Sequence, residues 1–115
     1  MFEIIFYDLE NGICPVREFI DSLEPKMKAK VIHTIELLEL NGTALRMPYS
    51  EYLEEGVFEL RTKQGSDITR VLYFFYIGHK AVITNGFVKK TQKIPCRDIQ
   101  IAKKYKADFE RRYGK

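Results

Sequence analysis

The strongest constraint on this chain is a set of three β-prone runs, at residues 57–62, 68–77 and 80–88, separated by breaks too short to hold a crossover helix. Strands joined that closely pair antiparallel, because a parallel pair needs a connection of a dozen residues or more. Gly78-His79 places Gly at the first central position of a two-residue hairpin turn. Such a turn sets Ile77 against Lys80, Leu72 against Asn85, and Arg70 against Phe87. A six-residue connection at 63–68 pairs Arg61 with Arg70. Arg61, Arg70 and Phe87 then form one row across three adjacent strands, on one face at one end of the sheet.

The rest of the chain supplies helices to cover that sheet. Residues 2–8 alternate and read as a first strand, followed by a turn at Asn11-Gly12. Pro15 suits a first helical turn, and Val16, Phe19, Ile20 and Leu23 follow at helical spacing. Pro25 opens a second helix with Met27, Val31, Ile35 and Leu38 on one stripe, closed by Asn41-Gly42 as a C-cap. Residues 43–55 read as a loop ending in Glu54-Glu55-Gly56. Pro95 opens a final helix in which Ile99, Ala102, Lys106, Phe109 and Tyr113 share a face. The order βααβββα predicts an α+β fold with a mainly antiparallel twisted sheet, an N-terminal helical hairpin and a C-terminal helix. One domain over residues 1–115 is expected, of a length that buries a real core.

No run approaches the ~20 apolar residues that span a bilayer. The opening Met-Phe-Glu-Ile-Ile lacks a basic segment and a cleavage site. A cytoplasmic protein without membrane contact is expected, with Cys14 and Cys96 as reduced thiols far apart in sequence. No P-loop, dinucleotide fingerprint or nucleophile elbow occurs. The carboxylates of residues 1–60 are scattered, with no pair spaced for glycosidase or metal work. No cofactor and no metal site are expected, and His33 and His79 read as ordinary surface histidines.

The net charge of +3 hides an asymmetry: residues 1–60 hold five bases against twelve acids, and residues 61–115 fourteen bases against four acids. A basic half of that density attracts polyanions, or else it balances the acidic half as a solvated helix. The segment Gly86-Phe87-Val88-Lys89-Lys90-Thr91-Gln92-Lys93-Ile94-Pro95 concentrates the positive charge where the last strand ends. Like charges directly opposite on a sheet are destabilising, so the Arg61–Arg70 row calls for a bound anion or a nearby carboxylate. Glu59 projects to the same face and could pair with either arginine. The functional alternative is a phosphate grip, because guanidinium binds phosphate oxygens bidentately and stays charged. Phe87 is either a core aromatic or a platform on which a base of single-stranded RNA stacks.

Phe58-Glu59-Leu60-Arg61, Arg70-Val71-Leu72-Tyr73-Phe74-Phe75 and the Gly86–Pro95 segment, together with Pro15-Val16-Arg17-Glu18-Phe19 and Leu40-Asn41-Gly42, resemble the phage-derived Gp49-like branch of the RelE/HigB toxins. The resemblance covers nearly the whole chain. It implies the toxin of a type II toxin–antitoxin pair, partnered by a small helix-turn-helix antitoxin. It further implies a metal-free endoribonuclease that cuts mRNA in the ribosomal A site and docks on ribosomal RNA. In that chemistry the 2′-hydroxyl attacks the adjacent phosphate and leaves a 2′,3′-cyclic phosphate and a 5′-hydroxyl. By position, the resemblance implies catalytic roles for Arg61, Arg70 and Lys90, and RNA binding by Phe87, Lys89, Lys93 and Asn85. Asn85 stands where many relatives carry His; it can hydrogen-bond but cannot exchange a proton near neutral pH. Lys89 or Lys90, its pKa lowered by the crowding of Arg61 and Arg70, is then the candidate base, and the general acid is unassigned. The basic face of the last helix (Arg97, Lys103, Lys104) is expected to meet ribosomal RNA, and Arg70→Ala to abolish activity in an intact fold. The alternative is a catalytically silent RNA- or protein-binding module of phage origin.

Overall fold

The chain pairs its strands in the order β1-β5-β4-β3-β2, in a computed structural model that describes residues 1–89 and 96–114, for Lys89 the backbone only. In chain order the elements are β1 (Glu3–Phe6), α1 (Pro15–Asp21), α2 (Pro25–Asn41), a 3₁₀ turn (Gly42–Ala44), β2 (Ser50–Glu54), β3 (Val57–Gln64), β4 (Asp67–Tyr76), β5 (Lys80–Lys89) and α3 (Cys96–Tyr113). β1 lies parallel to β5, and every other pairing is antiparallel. The α+β class, the helical hairpin and the closing helix match the sequence expectation.

Both faces of the sheet are covered, which explains why the central strands read as nearly continuous apolar runs. On one face Val16, Ile20, Met27, Val31, Ile35 and Leu38 of the helical hairpin pack on Leu60, Val71, Tyr73, Ala81 and Ile83. On the other, α3 lays Ala102 against Val57 and Leu72, and Phe109 against Phe74 and Val82. Two glycines permit close approaches on the hairpin side. A Cβ on Gly42, which ends α2 at φ +52, would sit 2.0 Å from the Phe2 ring. A Cβ on Gly86 would sit 2.7 Å from the ring of Phe19, so Gly86 lets α1 press directly onto β5.

Two details depart from the expected strand plan. Residues 43–55 contain an edge strand, β2, paired to β3 with Ser50 opposite Leu60 and Glu51 opposite Glu59. An edge strand needs little apolar pattern and tolerates charge. Leu53 is the one side chain of β2 in an apolar cluster, and the other buried residue is the polar Ser50, bonded to the Tyr73 hydroxyl, so no apolar alternation marks it. The β4–β5 turn takes one residue more than expected, with Tyr76 opposite Lys80, and a bulge at Thr84 restores Leu72 opposite Asn85 and Arg70 opposite Phe87. The two one-residue shifts cancel, so the predicted row survives although the predicted turn does not.

Polar ties hold α3 along its length. Near its start Asn85 Nδ2 donates to the Asp98 carbonyl at 3.3 Å. In the middle Lys103 bridges Glu54 and Glu55 of the β2–β3 turn, and these hydrogen bonds hold its ammonium above the usual lysine range. Towards the end the Tyr7 hydroxyl donates to Asp108 at 2.5 Å, the Tyr105 ring stacks on Tyr7 at 4.6 Å, and Arg111 pairs with Glu10 and Asp108. The Tyr7 hydroxyl, then Arg111, holds the Asp108 carboxyl down from 3.8 to about 2. A depressed carboxyl adds stability above its unfolded pKa and loses it as pH falls through the folded one. Between pH 3.8 and about 2, the melting temperature of the native chain is therefore predicted to fall more steeply than that of Asp108→Asn. Parallel slopes in thermal melts would contradict this tie.

Candidate functional site

Alternation along β3 sends Phe58 and Leu60 to the helical hairpin and leaves Glu59 and Arg61 on the α3 side. The register sets Arg61 opposite Arg70, and Arg70 opposite Phe87. The structure thus brings Arg61, Arg70 and Phe87 together as the turns implied. It also places Glu59 among the cations. The Nη1 of Arg70 donates to Glu59 Oε1, and Arg61 Nε lies 4.0 Å from Glu59 Oε2.

Burial separates the two arginines. The Arg70 and Glu59 side chains are 1% and 2% exposed, against 16% for Arg61. The like-charge row is therefore balanced inside the fold by one carboxylate, and the triad keeps one positive charge in excess. Burial pushes the Glu59 carboxyl above the ordinary range, while the hydrogen bond from Arg70 and then the charge of Arg61 pull it back. Water cannot screen such a pair as it does at the surface, so each partner depends on the other.

Above the triad opens a cavity of about 310 Å³, walled by Glu59, Arg61, Arg70, Glu51 and Leu53 and by Ile99 of α3. Arg61 also borders a second cavity of about 170 Å³, with Pro48, Tyr49, Lys63 and Ile68. Its backbone N–H donates to the Tyr49 carbonyl at 2.8 Å, which holds that half-exposed aromatic beside the guanidinium. In this second cavity Arg61, Lys63 and Tyr49 suit an anion carrying an aromatic base, whereas the exposed Glu51 and Glu54 line the first. A larger cavity, about 570 Å³, lies elsewhere, with Asp8, Glu18 and Asp21 around Arg17. Among the described residues no three His, Cys, Asp or Glu side chains are grouped to hold a metal ion, and no helix is long and apolar enough to cross a membrane.

The remaining sequence candidates are placed differently. Phe87 is half-buried against Val57, Leu72 and Ala102. Asn85 is buried, accepts from the Thr84 hydroxyl at 2.7 Å and donates to the Asp98 carbonyl, so its amide ties β5 to α3. The Lys89 backbone lies opposite Ile68; the Lys89 side chain, Lys90 and Lys93 lie outside the described residues. Lys103 is engaged by two glutamates, while Arg97 and Lys104 are exposed. Lys63 and Tyr49 escaped the sequence reading. The alternation that put Arg61 on this face also puts Lys63 there, whereas Tyr49 is reached only through the unread strand β2.

A family model described as phage-derived protein Gp49-like matches residues 18–107. The chain belongs to this family, which is the RelE/HigB-like toxin branch. Membership is consistent with the toxin of a toxin–antitoxin pair and with an antitoxin as partner. No curated protein matched the chain in a sequence search.

The expectation that Arg70→Ala spares the fold does not suit a guanidinium this deeply buried. Removing it strands the buried Glu59 carboxyl without its main partner, a loss of about 3–5 kcal/mol, whereas exposed pairs are worth about 1 kcal/mol or less. Denaturant unfolding is predicted to show Arg70→Ala destabilised several-fold more than Arg61→Ala. Equal losses would contradict the burial difference.

Proposed function

We propose that this member of the RelE/HigB-like branch is a toxin that cuts mRNA in the ribosomal A site, by metal-free attack of a 2′-hydroxyl on the adjacent phosphate. The observation that carries the reading is Arg61: a partly exposed guanidinium at the mouth of two cavities, backed by the buried Glu59–Arg70 pair. In this reading Arg61 grips the non-bridging oxygens of the scissile phosphate and neutralises the charge that grows on them in the transition state. Arg70 is a positioning residue that fixes Glu59 and, through it, the orientation of Arg61. Lys63 adds charge along the strand, and Tyr49 offers a face on which a base stacks. Lys90 supplies charge neutralisation, as the resemblance implies, with Lys89 and Lys93 on the RNA backbone. Phe87 and Asn85 shape the site from below through packing and the tie to α3. A helix-turn-helix antitoxin restrains the activity by masking this face.

A second reading is a catalytically silent binding module. Glu51, opposite Glu59 on the neighbouring strand, adds acid to the cleft wall and favours a protein ligand over a polyanion. Primer extension on translated mRNA separates the two, since a binder arrests translation without new ends.

The first reading predicts that inducing the native chain stops growth and that Arg61→Ala, which keeps the buried pair, restores it. Lys63→Ala is predicted to weaken the arrest partially. Unaltered growth arrest by a folded Arg61→Ala variant would remove Arg61 from the mechanism.

A further inference from the structure

The only candidates so far to accept the proton of the attacking hydroxyl are Lys89 and Lys90, whose side chains lie outside the described residues. Asn85 cannot accept it, and its amide is committed to Thr84 and Asp98. Glu59 is a carboxylate that lines the same cavity as Arg61, and the phosphate grip uses it only to steady that guanidinium. We propose that Glu59 is the general base, taking the 2′-hydroxyl proton onto Oε2; this rests on the ribonuclease reading.

The geometry divides the carboxylate between two tasks. Oε1 accepts from the Arg70 guanidinium, which holds the side chain in one orientation. Oε2 faces Arg61 at 4.0 Å, longer than a hydrogen bond. In the proposed complex a phosphate held by Arg61 has its neighbouring 2′-oxygen on the Oε2 side of the carboxylate. Burial keeps the carboxyl more basic than an exposed glutamate, and an anionic phosphodiester beside it raises that basicity further. The two arginines pull the other way, towards the ionised form. An acceptor whose proton affinity rises as substrate binds is suited to this step, because general bases work best with a pKa near the working pH.

The step balances without a co-reactant other than water. The 2′-oxygen loses its proton to Oε2 as its bond to phosphorus forms. The bond from phosphorus to the 5′-oxygen breaks, its electron pair leaves with that oxygen, and solvent water protonates it. Glu59 then returns its proton to solvent, leaving the cyclic phosphate and the 5′-hydroxyl.

Single-turnover cleavage of mRNA on translating ribosomes tests the assignment. Glu59→Gln, which keeps shape and a hydrogen-bond acceptor for Arg70, is predicted to slow cleavage about 100-fold or more and to abolish the rising limb of the pH–rate profile. The defect should persist on mRNA with a 5′-thio leaving group at the scissile bond, which needs no acid. Rescue by that leaving group would make Glu59 an acid and overturn the proposal. Should Glu59→Gln fail to fold, Glu59→Asp retains the charge for Arg70 and retracts the base, and cleavage should slow roughly tenfold or more. A pH-independent rate in the native chain, or native-like cleavage by either folded variant, would overturn the base assignment while leaving the ribonuclease reading intact. Uncut mRNA with the native chain would overturn both.

Discussion

The buried pair between Glu59 on β3 and Arg70 on β4 organises the α3 side of the sheet. Two arginines directly opposite each other would push adjacent strands apart. A single carboxylate on the same face removes that repulsion, and burial makes the arrangement all or nothing, because losing either partner strands a charge in a dry environment. The packing around it follows. α3 lays Ile99 and Ala102 over this face, and Arg61 is left at the edge as the cation that faces outward. A site that grips phosphate through Arg61, as proposed, draws on the one positive charge that the Glu59–Arg70 pair leaves over.

The imbalance between the halves of the chain is met in a similar way. Lys103 reaches the acidic β2–β3 turn, Arg111 reaches Glu10, and Arg112 reaches the Asp8 carbonyl. Much of the positive charge of α3 thus serves to dock the helix, whichever polyanion the protein meets. Arg61 and Lys63 lie on β3, and Arg61 shares its cavity with Glu51 and Glu54. In this account the basic half divides into a docking set on α3 and a substrate set at the Arg61 end of the sheet.

Sequence pattern carried the class, the strand pairing and the Arg61–Arg70–Phe87 row, because turn length and alternation translate directly into register. The β4–β5 hairpin shows the limit of that logic: an extra turn residue and the Thr84 bulge are each invisible in sequence and reach the right pairing only by cancelling. β2 was missed because an edge strand with one side chain in an apolar cluster has no apolar period to detect. That omission hid Tyr49, which reaches Arg61 through the backbone at the start of that strand. Glu59 was legible as an ion-pair partner, but its burial was not. Burial depends on α3 crossing the sheet at that point, a tertiary fact with no local signature. Phe87 read equally well as core or platform, and only the contact with Ala102 shows its packing side.

The proposed ribonuclease activity rests on Arg61, partly exposed and set on the buried Glu59–Arg70 pair. The most direct measurement is the chemistry of mRNA ends after purified protein meets translating ribosomes. The account predicts new 3′ ends bearing 2′,3′-cyclic phosphate, matched by 5′-hydroxyl ends at codon-phased positions, with both lost in Arg61→Ala. Stalled ribosomes on intact mRNA, or the same ends produced by folded Arg61→Ala protein, would contradict it.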